Sequence, residues 1–319
     1  MIYLRHFHLR EEPFSITPDS DFFFPHNGVQ AALNMLLVAL RSGEGFLKIV
    51  GEVGCGKTVL CRQLLKILHI DDCVTAYIPN PDMGPDDLLM ALVHELNVDV
   101  SQHVVGHKLT RHNVLSALRD CLLVHAAAGR RVVVCIDEAQ AIPTVTLESL
   151  RLLSNLETEK KKLLQLLLLG QPELYEKLSR PNVRQLLQRI TFSEHLGPMP
   201  VHQVSIYLEH RLATAALSDS VDIHVFSART AREIARLSGG VPRLINVLAH
   251  KCLMLAFGED SHRVNLRHVR LAAADTEGIR VRKWRPWWWL WKGTWSDKPR
   301  ASSKASDKNF KDIYPGESW

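Results

Sequence analysis

The chain has 319 residues, 46% hydrophobic and 23% charged, with a formal net charge of +5. That balance fits a soluble globular protein of one large or two medium domains. Six single cysteines, at 55, 61, 73, 121, 135 and 252, form no C-x-x-C pair, which excludes a disulfide framework or a zinc site and implies reduced thiols in a cytoplasmic setting.

The charge is uneven. Residues 278–319 hold ten Lys/Arg and four acids, leaving 29 of the 39 basic and 30 of the 34 acidic residues in a nearly neutral body. No apolar run is long enough for an ordinary membrane-spanning helix, and Met1–Phe7 has no apolar core behind a basic start, so no secretory signal is expected. The 16 histidines are scattered; His6 with His8, and His107 with His112, lack companions that would complete a metal site.

In chain order, residues 1–28 carry Pro13, Pro18 and the cluster Phe22-Phe23-Phe24-Pro25, which predict an extended segment wrapped on a larger body. A helix is expected at about 30–41. The run Phe46–Val50 reads as a buried parallel strand, and leucines at helical spacing over 59–68 predict the helix after it. Between them, Gly51-Glu52-Val53-Gly54-Cys55-Gly56-Lys57-Thr58 fits G-x-x-x-x-G-K-[ST]. Gly51, Gly54 and Gly56 are expected to take positive φ, so that curled N–H groups and the next helix's N-terminus cradle phosphate. In that loop Lys57 reaches the β- and γ-phosphates and the Thr58 hydroxyl holds Mg²⁺. Cys55 reads as a small filler.

A second strand is predicted at 74–78 and a helix at 86–96 behind Pro85. Residues 99–112 are polar and irregular, and a helix is expected at 113–127. Val132–Ile136 is the most β-branched run and predicts a central parallel strand. It ends in Asp137-Glu138. An acid at a strand end would hold the Mg²⁺ shell, and its neighbour would orient the attacking water. A helix at 145–157 follows. Leu163–Leu169 reads as a strand, because Gly170 and Pro172 stop it after a strand's length despite leucine's helical propensity. A helix at 181–188 then leads to a strand at 190–192. Alternating strands and helices imply an α/β fold in which helices sandwich a parallel sheet. Beyond Met199 only helices are expected, at 201–217, 227–237, 241–257 and 266–275, with Ser227 as a cap and Gly239-Gly240 as a break.

Taken together, Phe14–Asp19, Gly51–Thr58, Ile136–Gln140, Leu169–Leu174, Gln188–Ile190 and Gly240–Asn246 resemble the AAA+ ATPases. More narrowly, they resemble the secretion and pilus assembly ATPases typified by general secretion pathway protein A and the MSHA pilus biogenesis ATPase. The resemblance covers about residues 1–275. It implies a P-loop NTPase body followed by an all-α lid, with residues 1–45 as the entering segment and first helix, 46–197 as the nucleotide-binding domain, 198–276 as the lid and 277–319 as a tail. It also implies ATP and Mg²⁺ as ligands. Gln171 matches a first sensor near the γ-phosphate, Arg189 a finger presented to a neighbouring subunit's nucleotide, with Arg184 as the alternative, and Arg243 a second sensor. Arginine suits such tasks because its planar fork bonds phosphate at two points. The implied nucleotide-binding set is Gly51 through Thr58 with Val59 and Arg243; Lys57, Asp137, Glu138, Gln171, Arg189 and Arg243 would act in catalysis, and Thr58 and Asp137 would hold the metal.

The tail departs from general secretion pathway protein A, which joins its ATPase to a membrane helix and a periplasmic domain. Here six of the seven tryptophans lie between Trp284 and Trp295, among Lys and Arg. That composition favours shallow docking on the inner membrane or on a partner there. Past Ser296 the composition is that of a disordered stretch. The resemblance thus implies an ATPase serving a type IV pilus-like or type II secretion apparatus. Such an ATPase is expected to be cytoplasmic or peripheral on the inner membrane, homo-oligomeric, and partnered by an inner-membrane pilus or secretion protein. The alternative is a DNA-handling ATPase of the transposition-helper or replication-initiator type, against which the near-neutral body counts.

Overall fold

The structure is a computed structural model that describes residues 2–103, 110–153, 156–157, 162–218, 224–277 and 279. The Trp-rich segment and its proposed docking role lie outside the described residues, as do parts of the 99–112 stretch.

Five parallel strands form one sheet: β1 (Phe46–Val50), β2 (Val74–Ile78), β3 (Val132–Ile136), β4 (Gln165–Gly170) and β5 (Phe192–His195), in the order β2-β3-β4-β1-β5. The strands alternate between two cores. Val132, Val134, Ile136, Leu166 and Leu168 face one side, where they meet α3 (Pro85–Glu95), α4 (Arg111–Ala127), α5 (Thr144–Leu153) and α6 (Glu173–Leu178). Leu47, Ile49, Val133, Cys135, Leu167 and Leu169 face the other, against α1 (Asn27–Arg41) and α2 (Lys57–Ile70). Because both faces are covered, the strands read as continuous apolar runs, and this is why the leucine run at β4 is a strand. Lys48 is the exception: it is buried, and its ammonium lies 4.9 Å from the centre of the Tyr175 ring.

The C-terminal part is helical: α8 (Val201–Ala215), α9 (Ala228–Ser238), α10 (Pro242–Gly258) and α11 (Leu266–Ala274). Ser227 accepts from the Thr230 amide and caps α9. Gly239 and Gly240, at φ +60° and +76°, end it.

The structure corrects several expectations. Residues 2–8 are a run of turns, so the segment expected to be extended over 1–28 is not extended at its start, and Tyr3, Phe7, Leu9, Phe14 and Phe22 are buried in the core of α8–α11. Of the clustered aromatics, Phe22 and Phe24 join the helical core, while Phe23 packs against the core of α1 and α2. The helix predicted at 145–157 ends at Leu153 within the described residues, and α6 was not anticipated, because Pro172 reads as a stop yet occupies the N-cap. The helix predicted at 181–188 is one turn, α7 (Arg184–Leu187). The last strand begins at Phe192, so Arg189 precedes it by three residues and does not open it.

Candidate functional site

In a parallel sheet the C-terminal ends of β1, β3 and β4 open on one edge. β1 releases the glycine loop, β3 ends at Asp137-Glu138, and β4, which lies between them, ends at Gly170-Gln171. Residues far apart in sequence, 79 positions for Thr58 and Asp137 and 33 for Glu138 and Gln171, are therefore brought side by side.

Gly54 and Gly56 have φ of +82° and +93°, and Gly56 is the N-cap of α2. No side chain caps that helix, so its first-turn amides face the cavity as anion donors. Gly51 is different: its φ is not positive, and a Cβ there would sit 2.5 Å from the Leu196 carbonyl oxygen. Close approach to the chain leaving β5 requires that glycine, which corrects the expectation of positive φ. Gly54 has a second constraint, since its Cβ would lie 2.6 Å from the Arg243 Cβ, and the Arg243 amide donates to the Gly54 carbonyl at 3.2 Å. The start of α10 thus rests directly on the loop.

Lys57 is buried and its Nζ donates to the carbonyls of Gly51 (2.8 Å) and Glu52 (3.1 Å). The Thr58 hydroxyl donates to Asp137 Oδ2 at 2.7 Å, and the Tyr77 hydroxyl, from β2, reaches the same oxygen at 3.3 Å. Burial, and then the Asp137 charge, raise the Tyr77 hydroxyl well above its ordinary value, so it stays a donor. Thr58 and Asp137 present two oxygens at one point beside the loop, a donor set suited to the hard, oxygen-seeking Mg²⁺. Burial pushes the Cys55 thiol up, consistent with a filler and not a nucleophile.

Glu138 sits at φ +49°, a left-handed conformation that a non-glycine residue holds at some cost. Its amide is tied to Asp137 Oδ1 at 2.9 Å. Its carboxylate accepts from Gln140 Nε2 at 2.5 Å and Gln171 Nε2 at 3.2 Å, while Gln140 Oε1 accepts the Gln171 amide at 3.0 Å. Gln140 therefore bridges the ends of β3 and β4, and sequence reasoning assigned it no role. The available signal was its place two residues beyond Glu138. Lys177 anchors the same turn by donating to the carbonyls of Gln140 (2.6 Å) and Ile142 (2.7 Å).

One cavity of about 220 Å³ joins these parts. Gly54 to Val59 and Glu138 line it on one side, Arg243, Asn246 and Tyr207 on another, and Ser15 to Asp19 with Phe22 to Phe24 and His26 close it. Arg62 donates to the Pro18 carbonyl at 2.5 Å and Lys66 pairs with Asp21, so the N-terminal segment is fastened to α2. Gly51, Glu52, Asp137 and Gln171 lie behind the wall, in contact with groups that form it. Arg184 and Arg189 are exposed and outside it. Arg189 lies near Glu157, whose carboxylate is held below its usual range mainly by Lys162 and, to a smaller extent, by Arg189.

A second feature was invisible in the net charge. Arg229, Arg232 and Arg236 on α9 and Arg270 on α11 line one hollow whose acid is Glu233, already bonded to Arg236. The body is nearly neutral overall but not evenly so.

Comparison with known proteins agrees with this geometry. The AAA domain family model matches residues 40–178. General secretion pathway protein A of Aeromonas hydrophila is 41% identical over 279 residues, 88% of this chain and 49% of that protein, so the chain spans about half the length of the curated relative it matches. The ORC2 protein of Aeropyrum pernix, solved as ADPNP–ADP complexes, aligns with a TM-score of 0.59 at 18% identity, covering 83% of this chain and 73% of its own. Cdc6p of Pyrobaculum aerophilum aligns at 0.59 and 17%, covering 80% and 70%. These two share the fold. No helix among the described residues is long and apolar enough to cross a membrane. The chain therefore carries an AAA domain over residues 40–178 and is similar over most of its length to general secretion pathway protein A.

Proposed function

We propose that the chain binds ATP with Mg²⁺ in the cavity between the sheet edge and helices α8–α11, hydrolyses it, and uses the cycle to support a type II secretion or type IV pilus-like, MSHA-type, apparatus. The observation that carries this reading is the meeting of Thr58 with Asp137 at 2.7 Å beside the glycine loop, with Glu138 held by Gln140 and Gln171 one residue away.

Each group has a physical task in that reading. The first-turn amides of α2 and Lys57 bind the phosphates, and Lys57 exchanges its two carbonyl partners for phosphate oxygens. Thr58 and Asp137 would hold Mg²⁺, which would supply positive charge to the phosphate oxygens. Glu138 accepts a proton from the attacking water, and its two glutamine donors fix the carboxylate's direction. Gln171, bonded to Glu138, relays the state of the γ-phosphate to β4. Arg243 is coupled to the loop through Gly54, which links occupancy to the position of α10.

A neighbouring copy completes the site with Arg189, or Arg184, because both arginines are exposed and outside their own cavity wall. We place the chain in the cytoplasm, against an inner-membrane secretion or pilus protein, with Trp284–Trp295 as the membrane-side contact. Turnover that rises with protein concentration and is lost in Lys57→Ala and Glu138→Gln, the latter still binding ATP, supports the reading. Full hydrolysis in either variant refutes it.

A second reading, a DNA-handling ATPase, is favoured by the arginine hollow on α9 and α11. Binding of duplex DNA that weakens with salt and is lost in Arg229→Glu/Arg232→Glu would support it; binding unchanged by that variant would remove the hollow from the argument.

A further inference from the structure

Among the described residues, four buried polar or charged side chains line the cavity: His26, Lys57, Arg211 and Asn246. Three have hydrogen-bond partners inside the protein. Lys57 binds two carbonyls. Arg211 donates to the Pro13 and Ser15 carbonyls and to the Tyr207 hydroxyl. Asn246 accepts from Tyr207 at 2.7 Å and donates to the Ser15 carbonyl at 3.3 Å. His26 is only 4% exposed, and neither of its ring nitrogens has a partner.

Such a ring is costly to bury. It also occupies the N-cap of α1 without capping it, where Ser, Thr, Asp or Asn would stabilise the helix. The backbone around it is fixed, with its amide bonded to the Phe24 carbonyl at 2.8 Å and its carbonyl to the Gln30 amide at 2.9 Å. The ring lies over Gly28, where a Cβ would come within 3.5 Å of Cε1. Both nitrogens are closed off from solvent as the ring stands. A half-turn about Cβ–Cγ exchanges Cε1 with Nε2 and Cδ2 with Nδ1 within the ring's own volume, so a nitrogen can take the place of either carbon.

The phosphate end of the cavity is set by Gly54 to Thr58, which leaves the wall of Ile16, Pro18, Phe23, His26 and Val29 for the flat, largely apolar nucleobase. We propose that His26 reads the base, accepting a hydrogen bond from the exocyclic N6 amine of adenine. This rests on the nucleotide-site reading above and assigns to it the residue that selects the base. Burial lowers the imidazole's pKa, which keeps the ring neutral and leaves one nitrogen free to accept.

The test compares ATP, purine riboside triphosphate (which lacks the N6 amine) and tripolyphosphate (which lacks the base) by calorimetry on the wild-type chain, His26→Phe and His26→Asn. The wild type should prefer ATP to purine riboside triphosphate by roughly 3- to 10-fold, the worth of one hydrogen bond. His26→Phe should bind the two equally, His26→Asn should keep part of the preference, and tripolyphosphate should bind all three proteins alike. No preference in the wild type, or a full preference persisting in His26→Phe, overturns the assignment while leaving the nucleotide site intact. A wild type that binds neither ATP nor tripolyphosphate defeats the nucleotide-site reading itself.

Discussion

Gly54 is a free position of the phosphate-loop pattern, and by that pattern alone Gly54→Ala should be mild. The structure predicts otherwise. Alanine at φ +82° carries about 1–2 kcal/mol of left-handed strain. Its Cβ would also stand 2.6 Å from the Arg243 Cβ, well inside the roughly 3.5–4 Å at which carbons pack. Neither atom can rotate away, so the loop or the start of α10 must move by about 1 Å, an overpacking cost of about 1–3 kcal/mol. The sum, about 3 kcal/mol, corresponds to a fall in Tm of roughly 6–12 °C for a domain of this size. Gly56→Ala provides the control: φ is +93° but nothing lies within 4 Å, so strain alone remains. Thermal unfolding of both variants, repeated with saturating Mg-ATP, checks the reasoning. Gly54→Ala should be the less stable of the two and should gain less from nucleotide than the wild type does, because the shift displaces Arg243. If it unfolds no earlier than Gly56→Ala, the loop-to-α10 contact does not carry the weight assigned to it.

Other outcomes follow from the same geometry. Gln140→Ala removes one of two donors to Glu138, and kcat should fall by roughly 10- to 100-fold with KM little changed, as steady-state kinetics will show. An equal loss of ATP affinity would instead place Gln140 in binding. Arg189→Ala should lower turnover by roughly 10³-fold, and mixing it with Glu138→Gln should restore part of the activity, since each supplies the group that the other lacks across the interface. No recovery on mixing, or loss only in Arg184→Ala, moves the finger to Arg184. Gly240→Ala should prevent stable folding, because its Cβ would meet the Met199 carbonyl oxygen at 2.1 Å, and circular dichroism reads this directly.

The sequence alone determined the sheet's strands and the phosphate loop. β-branched and leucine-rich runs of strand length need cover on both faces, and a glycine loop between strand and helix is a local pattern. Asp137-Glu138 was legible for the same reason: it is a short signal at the end of the strongest strand. What only the tertiary structure decided rests on distance in space. Gly51 is glycine because a chain 145 residues later passes over it, not because of its own φ. Phe14 and Phe22 look like part of a strap in sequence, yet they fill the core of helices that begin at Val201, since burial depends on which surface folds back to meet them. Gln140 became a member of the site only once β4 settled beside β3. Arg229, Arg232 and Arg236 share one face of α9 by their spacing, but only the packing of α11 brings Arg270 into the same hollow.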